Sequence, residues 1–358
     1  MGRSSVAVTR LALAAGAAVS FGLASCSESP SSPSREIAPD AASLSQAPEL
    51  ADENGRHVFH TKQWHALDNA QNNGNGKGKP GNPATSTGIS FHGGPVLQSE
   101  TKVAAIYWGG STIYSGGPAP GAAGSGATDG SLIGTFLRTL GGSPYFNINT
   151  TYWNAAGTPI VNKVTYTQFW ANPTLPTTAS ITDAQMAAML QNAFTTGQLT
   201  YDASTVYAIF TGPGVNLGGG FASNNLQYCA YHYHGTVNVG GSRTVLYAAM
   251  PYDYAFPNAC TNGTPSPNGD AAADAVINTL AHEIEEATTD MLGTAWFDNR
   301  GYENADKCAW TWGSTYTTAN GGVANLKIGT KDFLIQRNWI NLNSGGCFKG
   351  LGDSGPIS

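Results

Sequence analysis

The sequence predicts an α/β (α+β) domain with a mixed sheet and packed helices, and three observations carry that expectation. Short β-branched and aromatic runs interleave with segments of helical periodicity, with no internal repeat. Charged residues make up only 11% of the chain, while glycine supplies 45 of the 358 residues. That balance suits a sheet-rich protein with long ordered loops, and it excludes a coiled coil or a basic nucleic-acid binder. Four cysteines in the C-terminal part, Cys229, Cys260, Cys308 and Cys347, form an even set compatible with two disulfides.

The elements follow in order. Lys102–Gly109 is a buried strand ending at a Gly-Gly pair. Asp129–Leu140 carries apolar residues at 132, 133, 136, 137 and 140, the spacing of one helix face. Asn147–Trp153 and Ile160–Trp170 alternate in part and read as strands. Thr182-Asp183-Ala184-Gln185 opens a capped helix that runs to about Phe194. Thr205–Thr211 is a second buried strand. Gln227–Val237 and Arg243–Met250 are strands joined at Gly240-Gly241. The longest helical pattern is capped by Asn268-Gly269-Asp270 and runs to about Thr289. Lys331–Asn341 closes the domain with strand character, and the C-terminal half is expected to be mostly antiparallel.

The chain ahead of this domain divides in two. Residues 1–25 read as a lipoprotein signal peptide: Arg3 and Arg10, an apolar run Leu11–Leu23, then Leu23-Ala24-Ser25-Cys26, a lipobox-like sequence that makes Cys26 the lipidated residue. Without the signal, 15 basic residues face 23 acidic ones, a net charge near −8. Residues 26–88 are Pro/Ser-rich at first and Asn/Gly-rich at the end, which reads as a disordered tether with solvated His57, His60 and His65. Residues 89–358 form one globular domain. No other stretch is apolar enough to span a bilayer, so membrane contact is expected through the lipid anchor alone, in an extracytoplasmic location. The four remaining cysteines allow three pairings. The nearest-neighbour one closes loops of about 30 and 40 residues, each stabilising by roughly 3–4 kcal/mol in the chain-entropy picture.

The chemistry concentrates in Leu280-Ala281-His282-Glu283-Ile284-Glu285-Glu286. His282 and Glu286 are i and i+4, so both lie on one helix face and can reach one metal ion. Glu283 then flanks the ion, where a general base takes a proton from water, as in H-E-x-x-H zinc peptidases with Glu in place of the second His. Glu303 follows His282 by 21 residues and is the expected third ligand, as in zincins that take a downstream Glu. Asp306 or Asp290 is expected to orient His282. From Ser90 onward the chain has only five glutamates, and Glu283, Glu286 and Glu303 are three of them. No Lys or Arg lies between Asp270 and Asp290 to balance the acids as a solvated helix face would. On the strand Tyr228–His234, Tyr228, His232 and His234 share a face; either histidine can polarise a carbonyl or stabilise an oxyanion, with His232 or a nearby Tyr the candidate for catalysis, and a half-exposed pair that packs on its neighbours is the equal alternative. His92, in a Gly-Gly-Pro turn, reads as a structural, backbone-bonded histidine.

Several of these pieces recur in one order: His92-Gly93-Gly94-Pro95-Val96, Ile106-Tyr107-Trp108-Gly109, Tyr228-Cys229-Ala230-Tyr231-His232, His282-Glu283-x-x-Glu286-Ala287-x-Thr289-Asp290, Trp296-Phe297 and Glu303-Asn304-Ala305-Asp306-Lys307-Cys308. Together, over about residues 90–350, they resemble the phosphate-induced protein or EXORDIUM family, whose plant members are secreted cell-wall proteins linked to growth. Asp290-Met291 departs from that family, which usually has Asp or Asn before Pro, and so does the bacterial lipoprotein N-terminus. The resemblance implies an extracytoplasmic protein and leaves the biochemical activity open. Spacing alone points to a zinc-dependent peptidase acting on a polypeptide or cell-wall polymer. The alternative is a non-catalytic surface or carbohydrate-binding protein that uses the same carboxylates for a structural ion, with Trp153, Trp170, Trp310 and Trp312 available for sugar stacking.

Overall fold

The computed structural model describes residues 56, 58–66, 68, 88–176, 180–217, 228–262 and 265–351. Residues 1–25, read above as a signal peptide, Cys26, His57 and most of residues 26–88, read as a tether, lie outside the described residues. Among the described residues, no helix is long and apolar enough to cross a membrane.

Seven strands build the main sheet: β1 (Val58–His60), β2 (Thr101–Trp108), β3 (Ala123–Ser125), β4 (Val164–Asn172), β5 (Thr205–Thr211), β6 (Tyr228–Asn238) and β7 (Ser242–Met250). Their order is β1-β6-β7-β5-β2-β4-β3. The central β7, β5, β2 and β4 are mutually parallel, while β1/β6, β6/β7 and β3/β4 pair antiparallel. This is the mixed sheet that the composition predicts. β2 and β5 are buried almost throughout, as parallel strands covered on both faces must be. The β6–β7 hairpin turns at Gly240 and Gly241, whose φ values of 64° and 125° few L side chains tolerate.

Among the described residues, the sheet is covered by the helices α1 (Leu132–Leu140), α2 (Asp183–Thr195) and α3 (Ala271–Thr289). Ser131 caps α1, and Thr182 with Gln185 forms the predicted capping box of α2. Asp270 caps α3 by accepting from the Ala273 amide. From Ala275 to Thr289 every residue of α3 is buried, so this helix runs through the interior rather than over the surface. Side chains alternate along β6. Its Tyr231 hydroxyl therefore reaches Asp183 of α2 on one face (2.8 Å), and its His232 meets α3 on the other.

Both disulfides form, Cys229–Cys260 and Cys308–Cys347, across sequence separations of 31 and 39 residues. Nearest-neighbour pairing is thus the one adopted.

Three expectations change. Residues Phe146–Thr151 form a 3-10 helix, not a strand, because Thr150 and Thr151 hydroxyls bond back to Asn147 and Ile148 carbonyls and satisfy the backbone locally. Lys331–Asn341 is two short strands, Lys331–Phe333 and Asn338–Ile340, each in its own hairpin. Between them the backbone amides of Ile335 and Gln336 bond to the side chains of Asn325 and Asn278 instead of a strand. The tether reading is corrected for residues 58–66. Val58 and Phe59 bury their apolar side chains at the sheet edge, and His60 is buried and stacks on Trp64 at 3.7 Å, while His65 is half-buried. His92 bonds through Nε2 to the Phe297 carbonyl (3.2 Å) and stacks on its ring, the structural role expected of it.

Buried Asp253 gives the fold a pH dependence. Burial raises its carboxyl well above its ordinary value, opposed by the Thr279 hydroxyl that donates to it at 2.7 Å. The folded state therefore keeps a proton that the unfolded chain releases above about pH 4, and stability falls as pH rises from there. Asp253→Asn retains an acceptor for Thr279 but cannot titrate. Urea midpoints taken at pH 5 and pH 8 are expected to differ less in this variant than in the parent.

Candidate metal and catalytic site

The site forms where α3, β6 and the segment 303–308 meet. One helical turn places His282 and Glu286 on the same side of α3, with His282 Nε2 3.0 Å from Glu286 Oε1. The segment ahead of Cys308 folds as a short turn with a 3-10 helix at Asp306–Cys308, not the second long helix familiar from zincins. That turn is clipped to α3 by the Asp306 amide, which donates to Glu286 Oε1 at 2.9 Å. It is also held by Gln336, which bonds the Ala305 carbonyl through its side chain and Asn278 of α3 through its backbone.

The turn reorders the two downstream acids. Asp306 Oδ1 lies 3.4 Å from His282 Nε2, so His282, Glu286 and Asp306 converge. Glu303 Oε2 instead faces His232 Nε2 at 3.8 Å. Asp290 sits at the end of α3, and its Oδ1 accepts from the Thr294 and Ala295 amides at 2.6 and 2.7 Å. Of the two residues expected to orient His282, Asp306 is the one beside its ring and Asp290 shapes the turn.

His232 completes the group from the sheet side. Its Nδ1 is 3.3 Å from Glu283 Oε2 and 3.7 Å from Glu286 Oε2. Glu286 thus stands between the two histidines, one oxygen toward each. His282, Glu283, Glu286 and Glu303 are essentially inaccessible, and His232 and Asp306 nearly so. His234, two residues along, is only half-buried and lines a groove elsewhere.

Burial governs the electrostatics. It would lower the His282 imidazole, but Glu286, Asp306 and Glu283 around it outweigh that and hold it well above its usual value. Burial pushes Glu283 up to about 8, opposed by His282 and reinforced by Asp306. Burial, then the charge of Asp306, lifts Glu286 to about 7. Burial and the neighbouring Glu286 raise Glu303 well above the carboxylate range. Four carboxylates around two imidazoles in a dry interior must retain protons or hold a cation. The distances fit hydrogen bonds and also fit the ligands of an ion. Two ligands about 2.0–2.1 Å from a tetrahedral ion stand roughly 3.3 Å apart, and the His282–Glu286 and His282–Asp306 separations are 3.0 and 3.4 Å.

Glu285 belongs to a different structure. Its Oε2 accepts from Asn149 and Asn338, both at 2.6 Å, and it ties α3 to the 3-10 helix and the C-terminal hairpin. Sequence reasoning missed Phe59, whose ring stacks on His282 at 4.0 Å between centroids. The signal for it was slight: Val58-Phe59-His60 is an apolar break in an otherwise polar stretch.

A family model for the phosphate-induced protein 1 conserved region matches residues 141–331. Protein EXORDIUM-like 3 of Arabidopsis thaliana is 29% identical over 143 residues, covering 33% of this chain and 42% of that protein. The chain therefore spans less than half the length of this curated relative. No solved structure matches. Both histidines and all four acids of the cluster lie inside the matched region, and residues 56–68 lie outside it.

Proposed function

The chain belongs to the phosphate-induced protein 1 family, and on that premise we propose that this member is an extracytoplasmic, lipid-anchored, zinc-dependent peptidase. The observation that carries the reading is the convergence of His282, Glu286 and Asp306 at tetrahedral-edge distances. His282 and Glu286 hold the ion with one acid from the 303–306 segment, and the distances favour Asp306 over Glu303. Zinc bound there supplies Lewis acidity toward a peptide carbonyl. Glu283 takes the proton from the attacking water and delivers it to the leaving amine. His232, hydrogen-bonded to Glu283, steadies it and stabilises the developing oxyanion. The two disulfides support an oxidising, extracytoplasmic setting.

One observation favours a second reading, a non-catalytic surface protein with a structural ion: the near-complete burial of the cluster. Metal analysis and digestion of a denatured protein substrate separate the two. Peptidase chemistry predicts one zinc in both the parent and Glu283→Gln, with cleavage by the parent alone and a loss of at least about 100-fold in the variant. Equal zinc and no cleavage by either would favour the structural ion.

A further inference from the structure

We propose that the outer edge of β6 docks an extended polypeptide bearing a basic residue three positions ahead of an aromatic one, and that Val58–His60, with Arg56 ahead of them, occupy this edge as part of an internal strap. The proposal deepens the peptidase reading and rests on it only for the fate of the docked chain.

The register carries the argument. β1 pairs antiparallel with β6, Val58 opposite Tyr231 and Phe59 opposite Ala230. Alternate side chains of such a strand point to opposite faces. Phe59 goes to the site face and covers His282, fully buried there. Arg56 goes to the other face, where it pairs with Asp183 Oδ2 at 2.8 Å and lies over the Tyr231 ring. Asp183 is built as a receptor for that cation: its Oδ1 also accepts from the Tyr231 and Tyr247 hydroxyls, at 2.8 and 2.6 Å. A chain continuing the same register beyond Arg56 runs past His234, Gly235 and Thr236. There a groove of about 420 Å³ opens between β6 and α2, lined also by Gln191 and Tyr247. Main-chain pairing at a sheet edge with alternating side-chain pockets is how extended peptides are recognised.

The strap packs Val58 and Phe59 into the main core but pairs only briefly along its backbone. It pairs over three residues with a register shift at Phe59/His60, whereas β6 runs for eleven. Its ends are held by ion pairs, Arg56–Asp183 at one and Asp68–Arg300 at 2.9 Å at the other. It contains no cysteine, and the sequence that joins it to the domain is rich in Asn, Gly and Pro.

The test inserts a specific protease site within residues 71–87 of the full chain, cuts it, and washes the product at high salt to weaken the ion pairs. Mass spectrometry reports whether the strap has left, and circular dichroism reports the fold. A fluorescent synthetic peptide of residues 54–66 is expected to rebind the cut protein, and the same peptide with Arg56→Glu at least 10-fold more weakly. Zinc transfer to a chromogenic chelator is expected to be at least 10-fold faster once the strap is gone. In the uncut chain, Asp183→Asn should also speed that transfer. Melting of the fold on strap loss, equal binding of both peptides, or an Asp183→Asn chain that holds zinc and releases it no faster than the parent would each overturn the proposal. Selective peptide rebinding by a protein that holds no zinc and cleaves nothing would uphold the docking edge and defeat the peptidase reading.

Discussion

Glu286→Gln is expected to lower zinc affinity by more than the roughly 10–100-fold typical of losing an outer-shell partner, and to remove hydrolysis with it. The substitution keeps the size of the side chain and an oxygen for the Asp306 amide. It removes the charge that stands between His282 and His232. His282 would then lose its nearest anionic neighbour, and burial would govern its titration. Competition against a chelator of known affinity measures the change. Asp306→Asn is expected to weaken zinc binding strongly, and Glu303→Gln only modestly, because Asp306 faces His282 while Glu303 faces His232. The reverse ranking of those two variants would move the third ligand to Glu303.

The second large effect is expected from the double substitution Cys308→Ala with Cys347→Ala. A loop of 39 residues closed by a disulfide is worth about 4 kcal/mol in the chain-entropy model. For a chain of this size that corresponds to a fall in Tm on the order of 10 °C. The same cross-link terminates the turn that carries Glu303 and Asp306, so its loss also frees that turn from the C-terminal hairpin. Zinc affinity should drop together with Tm. Calorimetry alongside chelator competition checks both, and a large loss of Tm with unchanged zinc affinity would show that the turn is positioned by Gln336 and Glu286 alone.

Elements with strong local signals were legible. The capping box at Thr182, the Asp270 cap and the run Thr205–Thr211 declare themselves through nearby residues, and the structure places them within a residue or so. Asn147–Trp153 was not, because its alternation matched a strand while its Asn and Thr residues offered the backbone local partners instead. The break within Lys331–Asn341 depends on Asn278 and Asn325, far away in sequence. The edge position of Val58–His60 depends on an uncovered strand more than 160 residues downstream.

By itself, the order of residues determined that an imidazole and two carboxylates share one turn of a buried helix, since helical spacing is a property of neighbours along the chain. Which downstream acid faces that imidazole, and that a phenyl ring from the N-terminal segment covers it, were decided only when the sheet edge, the cross-linked turn and the helix packed together. Those choices depend on which distant groups can satisfy each other's charge and apolar surface, and no local pattern encodes that.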